Sequence, residues 1–141
     1  MMKYFLILIV TLFSFITYSQ SIEGVWKTYD DSDGQLKSEV ELYIKDGKLY
    51  GKIIKLHNLD IPYEDAICKL CNDSRKNKHV QGMEIISGLQ FSGKEWSGNK
   101  KLLDPNNGKL YDAKFWMEND NKLAVRGYLG WFYRTQYWVR K

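Results

Sequence analysis

Residues 36–56 read LKSEVELYI-KDGK-LYGKIIKL, and they contain the clearest structural signal in the chain. Apolar and polar residues alternate from Leu36 to Ile44, which is typical of a strand buried on one face. One face carries Leu36, Ser38, Val40, Leu42 and Ile44, and the other carries Lys37, Glu39, Glu41 and Tyr43. Lys45-Asp46-Gly47-Lys48 predicts a two-residue hairpin turn, because Asp-Gly tolerates positive φ angles. Leu49 to Leu56 then supplies the partner strand.

Similar strand patterns, separated by turn residues, occupy most of the remaining chain. They are predicted over residues 22–29, 83–91, 95–103, 110–117, 122–129 and 133–140. No helical pattern is long enough for a parallel crossover, so successive strands are expected to be antiparallel. About eight strands in sequential order can close into an up-and-down barrel, which removes exposed sheet edges. We therefore predict an all-β fold, a single small antiparallel up-and-down β-barrel filled by side chains or holding one small ligand.

The segment from His57 to His79 differs from the rest because it has no sustained period. It contains Pro62, the two cysteines and a polar run from Asn72 to Lys78. Long loops in compact domains are often functional or covering elements. We expect a long excursion from the barrel that includes about one helical turn.

The N-terminus predicts a signal peptide over residues 1–19. Lys3 precedes an apolar run from Tyr4 to about Ile16, and this run is too short for a membrane span. Thr17 and Ser19 are small residues suited to cleavage before Gln20. Residues 20–141 are then expected to form one exported domain, periplasmic or secreted, with no membrane span after cleavage.

Composition argues against a nucleic-acid partner. Removing Lys3 lowers the formal net charge from +4 to +3, and no Lys/Arg cluster follows one periodic face. An aromatic fraction of 15% with two prolines favours strands over disorder.

An ordered set of motifs covers essentially the whole mature chain. It comprises Gly24-x-Trp26, Asp30-Asp31, Gly34, Gly47-x-Leu49-Tyr50-Gly51-Lys52-Ile53, Cys68-x-x-Cys71, Gly82, Trp96-Ser97-Gly98, Leu103-Asp104-Pro105-x-x-Gly108-Lys109-x-Tyr111, Leu123-x-Val125-Arg126-Gly127-Tyr128 and Arg134-Thr135-Gln136-x-Trp138. In that order the motifs resemble the exported bacterial family named domain of unknown function 2147 (DUF2147). The resemblance implies a lipocalin-like (calycin-like) barrel in the cell envelope and no particular activity. Asn99-Lys100-Lys101 departs from the family pattern, so the resemblance does not fix the local pairing of that strand.

Cys68 and Cys71 are the two cysteines of the chain. In an oxidising compartment this pair favours a disulfide that closes a short loop. A redox pair remains an alternative, and so does half of a zinc site with His57 and His79.

No catalytic constellation is recognisable. Gly-x-Ser-x-Gly, His-Glu-x-x-His and phosphate-binding glycine loops are absent from the sequence. Asp30, Asp31 and Asp33 could act as acid and base or bind a cation, but their spacing with Gly34 is more typical of a solvated turn. Asp104-Pro105 with Gly108 also predicts a turn. We expect no enzymatic activity, no cofactor and no metal.

Side chains of the first and last strands are the candidate ligand-binding residues, because these strands are neighbours in a closed barrel. Alternation puts Arg134, Gln136, Trp138 and Arg140 on one face of the last strand. Arg126 and Tyr128 share a face of the preceding strand, and Trp26 shares a face with Gly24 and Thr28. The candidate set is Trp26, Arg126, Tyr128, Arg134, Gln136 and Trp138.

Two interpretations of this set remain open. In one, an arginine packs over Trp26 and plugs one barrel end through a cation–π contact. In the other, Arg126 or Arg134, with Tyr128 and Gln136, receives the carboxylate or other anionic head of a ligand. Trp131-Phe132-Tyr133 could form an aromatic lip at an entrance or at a partner surface.

These observations favour a non-enzymatic envelope protein that binds a small amphiphilic or anionic molecule. A structural or protein-interaction module with a filled barrel is the alternative, and a small redox or hydrolytic enzyme is a third. The sequence names no protein partner.

Overall fold

The computed structural model describes residues 20–141, so the predicted signal peptide lies outside the described residues. Within residues 20–141, no helix has the length and apolar character needed to cross a membrane.

Eight antiparallel strands close into one barrel in sequential order, which confirms the predicted fold. The strands are β1 (Gly24–Tyr29), β2 (Leu36–Lys45), β3 (Lys48–Leu56), β4 (Glu84–Phe91), β5 (Trp96–Asp104), β6 (Lys109–Asn119), β7 (Lys122–Leu129) and β8 (Phe132–Arg140). No strand boundary differs from its predicted position by more than about two residues, the usual uncertainty of element ends. Between β3 and β4, Tyr63–Asp65 forms a single 3₁₀ turn, α1, within the predicted excursion.

The β2–β3 hairpin has the predicted turn. Asp46 has a φ of 52° and Gly47 a φ of 74°, as a two-residue turn with both central residues in the left-handed region requires. Lys45 pairs with Lys48 at the turn, and the ladder continues to Ser38 and Leu56.

Strand β5 is irregular where the sequence departs from the family pattern. Its register with β6 shifts between Gly98 and Leu102, and Lys100 has a φ of 54°. The backbone N–H of Lys100 donates to Asp112 Oδ1 at 2.8 Å. A bulge of this kind bends the strand locally.

The two ends of the barrel differ in their connections. The β2–β3, β4–β5 and β6–β7 turns are short and lie at one end, called the closed end here. The opposite end, called the open end, carries the β1–β2, β3–β4, β5–β6 and β7–β8 connections. Large side chains with almost no exposed surface fill the barrel toward the closed end: Trp26, Phe115, Leu42, Leu49, Ile86, Leu89 and Leu123. The core therefore leaves the open end as the place for a site.

Candidate functional site

The open end of the barrel contains a cavity of about 850 Å³. Its wall is mainly apolar and includes Val40, Ile53, Leu56, Val80, Ile85, Leu102, Leu103, Val125 and Trp138. Residues of the β1–β2 loop, the 57–83 segment and the β5–β6 turn surround its mouth. The volume lies in the range of about 300–1,000 Å³ that is usual for small-molecule sites. The barrel interior is thus filled by side chains toward the closed end and contains a cavity at the open end.

Arg134, Gln136 and Trp138 line this cavity from β8, as their shared face predicted. Arg134 and Gln136 both bind Asp31 of the β1–β2 loop. Arg134 Nη2 forms an ion pair with Asp31 Oδ2, and Gln136 Nε2 donates to the same oxygen at 2.7 Å. The carboxylate that the prediction assigned to a ligand is thus supplied by the protein's own loop. Because 68% of the Arg134 side chain is exposed, the pair contributes little to stability.

The aspartates of the β1–β2 loop form the predicted turn. Asp30 Oδ1 accepts hydrogen bonds from the hydroxyl of Ser32 and from its backbone N–H. These two bonds, the hydroxyl bond first, hold the pKa of Asp30 below its ordinary value. Asp33 Oδ1 likewise accepts from the backbone N–H of Gln35 at 2.9 Å. The same pattern recurs where Asp104 Oδ1 accepts from the backbone N–H of Asn106.

Arg126 and Tyr128 lie on the outer face of β7 and do not line the cavity, because they alternate with the cavity residues Val125 and Gly127. This corrects their expected interior position. Arg126 lies between two aromatic rings, with its guanidinium carbon 4.9 Å from the Trp116 ring centroid and 4.5 Å from that of Tyr133. Its Nε donates to Thr135 Oγ1 at 2.7 Å. Tyr128 packs against Tyr133 with a centroid separation of 5.8 Å.

Trp26 is fully buried at the closed end and does not line the cavity. Its indole Nε1 donates to the carbonyl of Ile22 at 2.9 Å. The guanidinium of Arg140 lies over its ring at 4.3 Å. Arg140 also donates to the carbonyls of Ser21, Glu23 and Asp120. An arginine thus packs over Trp26 as in the plug interpretation, but this arginine is Arg140 and not Arg134.

Cys68 and Cys71 form the predicted disulfide within the 57–83 segment. The segment folds back on itself, since the backbone N–H of Cys68 donates to the Lys78 carbonyl and that of Asn77 to the Cys68 carbonyl. It also packs on the β5–β6 turn. A Cβ atom on Gly108 would lie 2.0 Å from the carbonyl oxygen of Leu70, so only glycine permits this approach.

The alternative zinc ligands have other contacts. His57 Nε2 lies 2.7 Å from Glu39 Oε2, and the His79 ring stacks on Tyr63 with centroids 6.1 Å apart. Residues 20–141 contain no group of three His, Cys, Asp or Glu side chains arranged to hold a metal ion.

Glu39 is a buried charge that the sequence pattern assigned to the outer, solvated face. It is 3% exposed, because His57 and Lys141 cover its carboxylate. Lys141 Nζ lies 2.5 Å from Glu39 Oε1. The bonds to Lys141 and then to His57 lower the pKa of Glu39 from 4.5 to about 2. No sequence pattern brings residue 141 to residue 39, so this cluster could not be predicted.

Thr28 and Ser38 are cavity residues that the sequence analysis did not select. Both are buried, and their hydroxyl oxygens are 2.6 Å apart. A signal for Ser38 was present, because it is a polar residue on the apolar face of β2.

The connection between β7 and β8 carries exposed aromatic residues at the open end, consistent with an aromatic lip. Trp131 is 84% exposed and Phe132 is 65% exposed, with their rings stacked 4.1 Å apart. Leu59, Ile61 and Leu70 of the 57–83 segment are also exposed at this end. Exposed apolar clusters of this kind commonly mark contact surfaces.

A second depression of about 560 Å³ lies beside the 57–83 segment, outside the barrel interior. Arg75, which lines it together with Lys78, binds Asp73 through several hydrogen bonds and donates to the Glu84 carbonyl. Because its polar groups bind one another, the barrel cavity is the stronger candidate site.

Comparison with known proteins identifies a family and a similar solved structure. The model of a family described as "Uncharacterized protein conserved in bacteria (DUF2147)" matches residues 24–140, which include all eight strands. A solved structure described as "Protein HP1028 from the human pathogen Helicobacter pylori belongs to the lipocalin family" matches with a TM-score of 0.71. The sequences are 21% identical, and the match covers 87% of this chain and 84% of that chain. At this identity the likeness shows the fold alone. No curated protein matches the chain.

Proposed function

We propose that this chain, which belongs to the bacterial DUF2147 family, binds a small apolar or amphiphilic molecule inside its lipocalin-like barrel. The observation that carries the proposal is the cavity of about 850 Å³ with its mainly apolar wall. A concave apolar site with a few polar groups is the usual form of a small-molecule site. The similar structure, described as a lipocalin, supports a binding barrel by analogy of fold.

The distribution of charge at the mouth favours an uncharged or weakly polar ligand over an anionic one. Arg134, the cation expected to receive an anion, is already paired with Asp31. Asp30, Asp60, Asp65 and Asp104 also line the mouth, alongside Lys37 and Lys69. A ligand carboxylate would have to compete with these acids for the same cations.

We propose a binding role and not a catalytic one. The cavity wall consists mainly of hydrocarbon, and its charged residues are at the mouth, where solvent reaches them. Such a site is suited to burying the apolar surface of a ligand away from water. It is poorly suited to proton transfer or nucleophilic attack.

We also propose that the protein works outside the cytosol, in the periplasm or after secretion. The Cys68–Cys71 disulfide supports this location, since disulfides persist in oxidising compartments. Mass measurement of the protein from its native cells tests it, with residue 20 expected at the N-terminus. An intact residue 1 would contradict the proposed export.

Fluorescence titration with N-phenyl-1-naphthylamine, an uncharged apolar dye, tests the binding function. Gly127 lines the cavity, and its Cβ position has only ordinary van der Waals contacts, the nearest at 3.6 Å. Gly127→Phe would therefore fill the cavity. We expect saturable dye binding to the natural protein and at least about tenfold weaker binding to this variant, the loss of about 1.4 kcal/mol.

Arg126→Met is the matched control, because Arg126 lies on the outer face of the same strand. It is expected to leave dye affinity unchanged. Absence of saturable binding to the natural protein, or equal affinity in Gly127→Phe, would show that the cavity is not the site.

A protein-interaction role is the second candidate, and the exposed Trp131–Phe132 pair favours it. Trp131→Ser with Phe132→Ser would abolish a protein contact at this tip and leave dye binding in the cavity intact. Loss of a copurifying partner in this variant, without loss of dye affinity, would support the second role.

A further inference from the structure

We propose that the bound molecule carries an uncharged oxygen acceptor, such as a ketone, aldehyde or ester carbonyl, held by a polar row inside the cavity. The row consists of Trp138, Thr28 and Ser38. This inference rests on the proposed function and specifies its ligand class.

The three residues belong to β8, β1 and β2, which are neighbouring strands of the closed barrel. Strands β1 and β8 pair at Trp26 with Arg140 and at Lys27 with Val139, and continuing this antiparallel register by one residue would set Thr28 opposite Trp138. Thr28 pairs with Ser38 on the other side. All three line the cavity. They therefore contribute neighbouring polar groups to the cavity wall.

The hydroxyl pair has a donor to spare. Thr28 Oγ1 and Ser38 Oγ are 2.6 Å apart and share one hydrogen bond, in which either can donate. Two hydroxyls carry two hydrogens, and this bond uses one of them. The second hydrogen is available to an acceptor in the cavity. Lone pairs on the same oxygens let the pair reorient when an acceptor arrives.

The indole N–H of Trp138 is a second donor that supports a ligand oxygen, independently of the hydroxyl pair. The Trp138 side chain is 4% exposed, and its indole Nε1 has no hydrogen-bond acceptor among residues 20–141. Buried polar groups usually have a partner, and a donor without one is costly. An indole nitrogen can only donate. A ligand oxygen in this part of the cavity would therefore meet a donor that lacks an acceptor.

The surroundings of the row favour a neutral oxygen over a carboxylate. The wall beside it is built from Val40, Val125 and Leu56, and the charged cavity residues belong to loops or strand ends at the mouth. The carboxylate of Glu39, next to Ser38, is on the opposite face of β2, where it binds Lys141 and His57. A buried ligand anion would have no cation here to offset its lost hydration.

Competition against the bound dye tests this proposal with two ligands of nearly the same shape. 2-Undecanone has a carbonyl oxygen, and 2-methylundec-1-ene has a methylene group in its place. The measured quantity is the ratio of their dissociation constants, which cancels any general change in cavity affinity. The variant is Thr28→Val with Ser38→Ala, which removes both hydroxyls together and leaves neither without its partner.

We expect the double variant to lose about tenfold in selectivity for the ketone relative to the alkene, the effect of one hydrogen bond of about 1.4 kcal/mol. Trp138→Phe, which removes the N–H and keeps an aromatic ring, is expected to lower the same ratio. Thr135→Val makes the same chemical change as Thr28→Val on the outer face and should leave the ratio unchanged.

An unchanged ratio in both the double variant and Trp138→Phe would overturn the proposal. So would tighter binding of undecanoate than of the ketone to the natural protein at pH 8. In either case, continued dye binding would leave the proposed function standing, whereas failure of the dye to bind at all would refute that function first. If the double variant does not fold, Trp138→Phe alone gives the comparison.

Discussion

Two arginines of the last strand, Arg134 and Arg140, have different surroundings, although the alternation of the sequence puts them on the same face of the strand. Arg140 covers the ring of Trp26 and binds three carbonyl oxygens. Arg134 projects from the open end and pairs with one aspartate. The first is part of the closed end of the barrel, and the second is a solvent-exposed ion pair.

Arg140→Met is therefore expected to destabilise the protein by about 2–4 kcal/mol, because charge-assisted hydrogen bonds and the cation–π contact are lost together. Arg134→Met is expected to cost about 0–1 kcal/mol. Urea unfolding of the two variants provides the measurement. Equal losses of unfolding free energy would show that the contacts of Arg140 do not stabilise the closed end.

Glu39 makes the stability of the barrel depend on pH. Its pKa falls from 4.5 to about 2 on folding, so its contribution is fully present above pH 4.5 and is lost as the pH falls toward 2. Glu39→Gln should lower the melting temperature at pH 6 and reduce its decline between pH 4.5 and 2. The decline should not vanish, since binding to Arg75 also lowers the pKa of Asp73 to about 2.

Asp73→Asn is the companion variant, and it should retain the part of the decline that belongs to Glu39. A decline in Glu39→Gln as steep as in the natural protein would mean that Lys141 and His57 do not stabilise the carboxylate.

At the residue scale, the sequence predicts which face of a strand a side chain occupies better than it predicts which residues that side chain contacts. Alternation placed Trp26, Gln136 and Trp138 on the inner face, as the structure has them. It could not give the register between β1 and β8, and a shift by an even number of residues changes the side chain over Trp26 without changing any face. Arg126 was expected inside for its charge, although alternation sets it on the face opposite Val125, and Val125 lines the cavity.

Among the connections between strands, the 57–83 segment is held in its position by packing against the β5–β6 turn. Gly108 and Gly130 offer a matched comparison, with φ values of +70° and +61°. A Cβ on Gly108 would overlap the backbone of Leu70 and Cys71, whereas nothing lies within 4 Å of one on Gly130. Both alanine variants share the cost of a left-handed residue, about 1–2 kcal/mol.

Gly108→Ala should lose more unfolding free energy than Gly130→Ala, and its 57–83 segment should be cleaved faster by a protease. Limited proteolysis with mass analysis of the fragments measures the second effect. If the two variants are cleaved alike, the segment is not held in place by this contact.

Turns and strands were predictable because their signals are local. Asp46-Gly47 specifies a turn by backbone geometry, and the alternation of residues 36–44 specifies a strand by burial. The path of residues 57–83 was not predictable, because it follows from contacts such as that between Gly108 and Leu70, which are distant in sequence. The disulfide was predictable from the spacing of its cysteines and the expected compartment.

For the molecule as a whole, closure between β1 and β8 is the shortest ladder. It has two paired positions, Trp26 with Arg140 and Lys27 with Val139, whereas β7 and β8 pair along eight. We expect amides that cross this seam, such as that of Lys141 bonded to the Val25 carbonyl, to exchange with deuterium before those between β7 and β8.

Hydrogen exchange followed by NMR measures the difference in exchange rate between the two sets of amides. Arg140→Met should increase this difference, because it weakens the closed end beside the β1–β8 seam. Uniform protection around the barrel would show that closure is as stable as the hairpins.

The number and order of strands were predictable from turn spacing. The division of the barrel interior into a filled end and a cavity was not predictable. Whether a barrel is filled depends on how long side chains from eight strands meet, and that depends on strand register and tilt. The large core residues gather near the closed end, which leaves the apolar wall of the open end without side chains to fill it.

The position of the two chain ends has a practical consequence. Arg140 ties residues 21 and 23 to the end of β8, so both ends of the folded domain emerge on the side away from the cavity mouth. An affinity tag or surface linker at residue 141 would orient every immobilised molecule with its mouth toward the solution. The barrel is thereby suited to a sensor chip, on which small molecules reach the cavity without obstruction from the support.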